Sequence, residues 1–141
     1  MDTTLTIIKP DAVASGNAGN ILAHLEREGF HILAVKRLTL SKAQAEGFYA
    51  VHRERPFFDS LVEFMTSGPV IPAVLTAPNA VPKLRQAMGA TNPEEADEGT
   101  IRKLYASSIE KNAIHGSDSP ENAEIEKQFF FSQAELIAAG A

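Results

Sequence analysis

At 141 residues the chain is the length of a single domain, taken here as 1–141, and can bury a continuous core without covalent staples. It has no cysteine, which excludes disulfides, a thiolate metal site and a cysteine nucleophile. Thirteen Lys and Arg against eighteen Asp and Glu leave a net charge of −5, with no basic arm; this argues against nucleic acid as a main partner and against an anionic membrane surface. No apolar run approaches spanning length and the start has no basic region ahead of an apolar stretch, so no membrane partner is expected and the predicted location is cytoplasmic.

Residues 5–8, Leu-Thr-Ile-Ile, read as a short buried strand that must stop at Pro10, leaving Lys9 at its end. Ile21, Leu22 and Leu25 share one helical face, and Gly29 stands where that helix would end. Residues 32–40 alternate as a second strand, with Lys36 and Arg37 expected in solvent. Ser41-Lys42-Ala43-Gln44 has the form of a capping box and predicts a helix through Phe48, Tyr49 and Val51. Pro56 interrupts it, and one of the adjacent Phe57 and Phe58 is expected at the surface, where a base could stack. A helix over 59–66 follows, ended by Ser67-Gly68-Pro69.

Residues 70–75 form a third strand, with an irregularity expected where Pro72 removes a ladder donor. Asn79 is positioned to cap a helix running to Met88, with Gly89 as terminator and Arg85 on its surface. After the acidic loop containing Glu94, Glu95, Asp97 and Glu98, Gly99-Thr100 caps a short helix that carries Arg102. Residues 113–115 read as the last strand, and Ser119-Pro120-Glu121 is a helix start, with Pro at the first helical position and acid in the first turn. On that helix Ala123, Glu126 and Phe130 share a face, so a carboxylate sits on an apolar stripe and needs a partner. The order of elements, with short strands and helices on one face, predicts an α+β two-layer sandwich of the ferredoxin-like kind, an antiparallel four-stranded sheet covered by helices.

Chemistry is expected at Asn112-Ala113-Ile114-His115-Gly116-Ser117-Asp118-Ser119. An imidazole titrates near neutrality and offers a lone pair able to attack phosphorus or accept a proton. Gly116 should leave the ring uncrowded and free the backbone, while the following hydroxyls and carboxylate can hold a turn or the ring itself. The chain has no G-x-x-x-x-G-K-[ST] loop, no G-x-G-x-x-G and no protein-kinase catalytic loop. A phosphate site would therefore be built from side chains: Lys9, Arg85 and Arg102 as cations, Thr91 and Tyr49 as hydroxyl donors.

The sequence resembles the nucleoside diphosphate kinase family over nearly its whole length. The matching segments are Ile8-Lys9-Pro10-Asp11-Ala12-Val13, Phe48-Tyr49-Ala50-Val51-His52, Arg55-Pro56-Phe57-Phe58, Phe64-Met65-Thr66-Ser67-Gly68-Pro69-Val70, Met88-Gly89-Ala90-Thr91-Asn92-Pro93, Gly99-Thr100-Ile101-Arg102 and the His115 segment. The resemblance implies transfer of a terminal phosphate, mainly from ATP, to nucleoside diphosphates by a ping-pong route through a phosphohistidine. By matching position His115 would be the nucleophile, Glu126 would orient its ring, and Ser117 would support both. Lys9 and Tyr49 would lie beside the transferred group, with Arg102 adding charge; Arg85 and Thr91 would hold inner phosphates. Asn112 with Lys9 would reach the sugar 3′-hydroxyl, and Phe57 would stack on the base, a contact tolerant of base and sugar. Mg²⁺ would arrive bridging phosphate oxygens, with no metal site of the protein's own.

The resemblance further implies a homo-oligomer, with a tetramer favoured over a hexamer or dimer. Two departures stand out: Glu98 where the family usually has proline, which bears on loop rigidity and subunit contacts, and Pro72 within the third strand. Counting from His115, rather than the order Glu124-Ile125-Glu126-Lys127, selects Glu126 as the orienting carboxylate. The alternatives are a phosphohistidine carrier without nucleotide turnover, a nucleic-acid binder, and a zinc hydrolase, for which His24, His31, His52 and His115 lack ligand spacing.

Overall fold

A computed structural model describes residues 2–141. Strands β1 (Asp2–Ile8), β2 (His31–Val35), β3 (Ile71–Ala77) and β4 (Ile114–Gly116) form one sheet in the order β2-β3-β1-β4. Every neighbouring pair is antiparallel. The helices are α1 (Pro10–Ala14), α2 (Ala18–Arg27), α3 (Lys42–Phe48), α4 (Phe58–Met65), α5 (Ala80–Met88), α6 (Ile101–Tyr105), α7 (Pro120–Phe130) and α8 (Gln133–Ala139), with 3₁₀ turns at Ala50–His52 and Pro93–Glu95. This is the ferredoxin-like arrangement.

Helices lie against both faces of the sheet, where the sequence suggested one. The cause is in the central strands: residues 4–8 of β1 are buried without alternation, so each face carries an apolar set. Leu5, Ile7 and Val74 pack with Val62 and Met65 of α4 and with Phe130 and Leu136 of the C-terminal helices. Ile8, Ala73 and Leu75 pack on the other side with Ile21 and Leu25 of α2 and with Leu84 and Met88 of α5. Among the described residues no helix is long and apolar enough to cross a membrane.

Local chemistry sets most element boundaries. The expected capping box forms at α3, where Ser41 accepts from Gln44 N–H and the Gln44 side chain accepts from Ser41 N–H. Ser119 accepts from Asn122 N–H with Pro120 at the first position of α7, and Thr100 caps α6 through Lys103 N–H. The α3 helix ends at Phe48, so Val51 falls in the 3₁₀ turn and is exposed. Asn79 does not cap α5 through its side chain; it turns the chain in the left-handed region, φ 52°, a conformation asparagine tolerates.

The second strand is shorter than residues 32–40, and Pro72 supplies the reason. Lys36 N–H donates to the Pro72 carbonyl, but Pro72 has no N–H to return the bond. The ladder therefore breaks at Lys36, leaving one isolated bridge between Leu38 and Val70, and β2 also bulges between Ile32 and Ala34. Lys36, expected in solvent, instead donates to the Phe130 carbonyl at 2.8 Å and to Glu135 at 3.0 Å, tying this edge to the C-terminal helices.

Candidate active site

The register of β4 on β1 pairs Ile7 with His115, so His115 faces the side of the sheet that carries α3, α4 and α7. There its ring meets Phe48 edge-on at 5.5 Å. Helix α7 crosses the same face and brings Glu126 Oε1 within 2.7 Å of His115 Nε2. Ser117 Oγ donates to the same carboxylate oxygen at 2.8 Å. A carboxylate only accepts, so the ring proton belongs on Nε2 and the lone pair on Nδ1. Buried Lys127, one residue on, anchors α7 to β1 through Thr3 Oγ1 at 2.7 Å, holding Glu126 in place.

Gly116 is needed for a different reason from the one the sequence suggested: its φ is not in the left-handed region. A Cβ there would lie 2.6 Å from Met88 Sδ and 2.9 Å from Leu84 Cδ2, because α5 packs directly onto the strand behind His115. G116A is expected to destabilise the fold by about 1–3 kcal/mol through overpacking. Urea denaturation will show this as a lower midpoint.

A cleft of about 670 Å³ opens in front of His115, with Lys9, Asn112 and Arg102 at its inner end and Phe57, Leu61 and Ile109 at its outer end. Lys9 Nζ donates to Asn112 Oδ1 at 2.8 Å. Burial, and then repulsion from Arg102, lowers the Lys9 ammonium from 10.5 to about 8. Arg102 is 6% exposed, and its guanidinium donates to the carbonyls of Ile114 at 2.8 Å, Gly89 at 3.1 Å and Asn112 at 3.4 Å. Burial, and then nearby Arg85, lowers it to about 10. The Tyr49 hydroxyl is buried with no protein partner, and burial pushes its ionisation far up, so it remains an unspent donor. Phe57 is 49% exposed while Phe58 is core, which resolves the aromatic pair.

A second cleft meets the first at Tyr49, His52, Arg102 and His115 and is lined by Arg85, Asp118 and Glu126. Arg85 Nη1 donates to the Gly116 carbonyl at 3.3 Å, which holds it beside the strand that carries His115. Thr91 lines the first cleft, and its carbonyl accepts from Asn112 Nδ2 at 3.5 Å. Nine of the ten residues singled out in the sequence line one or both clefts, with Arg85 and Thr91 in different ones, and Ser117 reaches the site through its bond to Glu126. His52 lines both clefts and Ile109 the outer end of the first. The sequence marks neither as a site residue: His52 reads as the end of a matching segment and as a histidine without ligand spacing, and Ile109 lies in a polar loop without periodicity. Among the described residues no group of three or more His, Asp or Glu could hold a metal ion.

An oriented imidazole at the meeting point of two clefts, ringed by Lys9, Arg85 and Arg102, defines a group-transfer enzyme for anionic substrates. A family model described as nucleoside diphosphate kinase matches residues 2–136. The chain is 60% identical over 136 residues to the nucleoside diphosphate kinase of Campylobacter jejuni subsp. jejuni, with 96% of this chain and 99% of the relative covered. It is 52% identical over 137 residues to that of Persephonella marina, covering 97% and 98%. Its fold matches the crystal structure of the Aquifex aeolicus nucleoside diphosphate kinase with a TM-score of 0.93 at 47% identity, covering 95% of this chain and 97% of that one. The halophilic enzyme of Halobacterium salinarum in complex with CDP matches with a TM-score of 0.91 at 39% identity, covering 95% and 90%. The chain belongs to the nucleoside diphosphate kinase family.

Proposed function

We propose that this single domain, residues 1–141, transfers the terminal phosphoryl group of a nucleoside triphosphate, mainly ATP, to nucleoside diphosphates through a phosphohistidine on His115. The observation that carries this reading is the 2.7 Å contact between His115 Nε2 and Glu126, which leaves Nδ1 as the free lone pair of a ring that lines one cleft with Lys9 and Arg102. In the first half-reaction Nδ1 attacks the terminal phosphorus, the bond to the bridging oxygen breaks, and the nucleoside diphosphate leaves with those electrons. The ring becomes cationic as the N–P bond forms, and the Glu126 carboxylate that accepts from Nε2–H balances that charge. In the second half a different diphosphate attacks that phosphorus with its terminal oxygen, and the P–N electrons return to Nδ1. One site serves donor and acceptor in turn, which is ping-pong kinetics.

Lys9, Arg102 and the Tyr49 hydroxyl neutralise the equatorial oxygens in transit, while Arg85 and Thr91 take the inner phosphates. Asn112 and Lys9 meet the sugar hydroxyl and Phe57 carries the base, a stacking contact open to purine and pyrimidine alike. Mg²⁺ suits this site as a partner of the substrate: among the described residues no three carboxylates or imidazoles gather to hold it, and phosphate oxygens supply the anionic ligands the ion prefers. A homo-oligomer, with a tetramer favoured, accords with the family; Glu98 is the residue whose loop bears on that assembly.

Lys9 gives the reading a pH signature. Its ammonium binds phosphate only when protonated, so kcat/KM for the free enzyme is expected to fall as pH rises through about 8. Stability moves the other way. The folded state gives up the Lys9 proton near 8 and the unfolded chain near 10.5, so between these values the unfolded state binds more protons and folding stability rises with pH. Parallel rate and urea-unfolding profiles from pH 7 to 10.5 will show the two trends diverge; a K9M variant should flatten the contribution of this group to the stability profile.

The reading is tested by incubating the protein with Mg²⁺ and γ-labelled ATP beside a His115→Asn variant. Acid-labile, base-stable label on the parent alone, removed by both GDP and CDP, is the expected result. Label that no diphosphate removes would replace the kinase with a phosphohistidine carrier, and no label would overturn both.

A further inference from the structure

The backbone that presents His115 is held in an unfavourable conformation. Ala113 has φ +72°, a left-handed value that L residues with a Cβ rarely adopt, and Ile114 N–H closes a 2.8 Å bond to the Asn112 carbonyl around it. This is a γ-turn, rare and strained for any residue but glycine. Its outcome is functional placement: Asn112 on one side reaches Lys9 Nζ, and His115 lies two residues beyond the other.

Both polar groups of Ala113 are held by the segment that follows β1. Its carbonyl accepts from Lys9 N–H at 2.9 Å, and its N–H donates to Asp11 Oδ2 at 3.1 Å. We propose that Asp11 is a positioning residue for the transfer reaction, its carboxylate holding Ala113 in the strained turn that sets Asn112 and His115 against the substrate. The inference rests on the phosphotransfer reading above and goes beyond it, since Asp11 lines neither cleft and acts on Lys9 through its charge alone.

A merely structural role is the competing account, because Asp11 lies in the first turn of α1, where acids are ordinarily favourable. Two features favour the positioning role. Asp11 Oδ1 is buried without any partner, an unfavourable placement for a group whose only task is to cap an exposed helix start. The carboxylate also bonds outside its own helix: burial pushes the Asp11 carboxyl upward, and the N–H groups of Ala12 and then of distant Ala113 act in the opposite direction. The strain at Ala113 and the carboxylate opposite its N–H are 102 residues apart in sequence, and only the fold brings them together.

The test is a double-mutant cycle between Asp11→Ala and Ala113→Gly, because glycine adopts positive φ without strain and needs no clamp. In the parent background D11A is expected to lower kcat/KM for ATP and GDP by roughly 10²-fold, the scale for misplacing a reacting group by about 1 Å. In the A113G background the same change should cost less than about tenfold, and D11N, which keeps an oxygen able to accept from Ala113 N–H, should restore most of the activity lost in D11A. Loss of equal size in both backgrounds, or D11A within about threefold of the parent, overturns the proposal. Thermal melts accompany each variant, and D11S takes the place of D11A in the cycle if the latter does not fold. Failure of the parent itself to label with ATP would count against the function, whereas a labelling parent with an indifferent D11A would count against the role of Asp11 alone.

Discussion

Replacing His115 by alanine is expected to lower phosphate transfer by roughly 10⁴-fold or more while leaving the fold intact, because no other side chain in the clefts can take its place as nucleophile. The chain has no cysteine. The Tyr49 hydroxyl is held protonated by burial, and the Ser117 hydroxyl is buried and already donates to Glu126. Lys9 and His52 are the remaining candidates: near neutral pH the Lys9 lone pair is largely occupied by a proton, and the His52 ring packs on Phe57 at 5.5 Å, whereas Glu126 bonds to and orients His115. The ring is half-buried rather than core, and Glu126 keeps its bond from Ser117 when the imidazole is gone, so unfolding should shift little. Steady-state transfer from ATP to GDP, followed beside a urea melt, checks both halves. A variant that retained a tenth of parental activity would displace His115 from its role.

Arg102→Ala should combine two losses that usually come apart. The guanidinium has five N–H donors in a rigid fork. In this chain three bonds go to the carbonyls of Asn112, Ile114 and Gly89, which border the nucleophile strand and the end of α5. Removing the side chain leaves buried acceptors unsatisfied, and a stability loss of about 3 kcal/mol is expected. Arg102 also lines both clefts, so transfer should fall by roughly 10²- to 10³-fold as charge stabilisation of the moving phosphoryl group disappears. Arg102→Lys separates the effects: an ammonium restores a positive charge but cannot reach three diverging carbonyls, so it should recover more rate than stability. Equal recovery of both would show that Arg102 acts only as a cation.

Much of this site is legible in the sequence, for physical reasons that differ from residue to residue. The strand carrying Lys9 announced itself by a β-branched run stopped by proline, and the helix carrying Glu126 by Ser119-Pro120 at its start. Helical periodicity put Glu126 on the buried face, so its need for a partner followed from desolvation alone. What stayed hidden depends on tertiary contact. Nothing local marks Ala113 as left-handed, since alanine prefers almost any other region, and the Asp11 carboxylate that holds it lies at the opposite end of the chain. Gly116 looked like a flexible joint, yet its requirement is steric and comes from Leu84 and Met88.

Other differences trace to the same cause. Lys36 reads as a solvated strand residue until α8 brings Glu135 beside it. Helices on both faces of the sheet were signalled only faintly, by the continuous run in β1, because helical stripes in α3, α4 and α7 do not say which face they will cover. Pro72 is an intermediate case. Its missing donor was evident from residue type, but that the loss falls on the β2 side, and so ends that strand at Val35, required the register.

The covalent relay through His115 is tested most directly by the stereochemistry of transfer. A nucleoside triphosphate made chiral at the terminal phosphorus with sulfur and oxygen isotopes is used as donor, and the configuration of the product triphosphate is read. Two in-line displacements, onto Nδ1 and off again, invert the phosphorus twice, so net retention is the result this account requires. Net inversion would mean a single direct transfer between two bound nucleotides, and the phosphohistidine would have no place on the path.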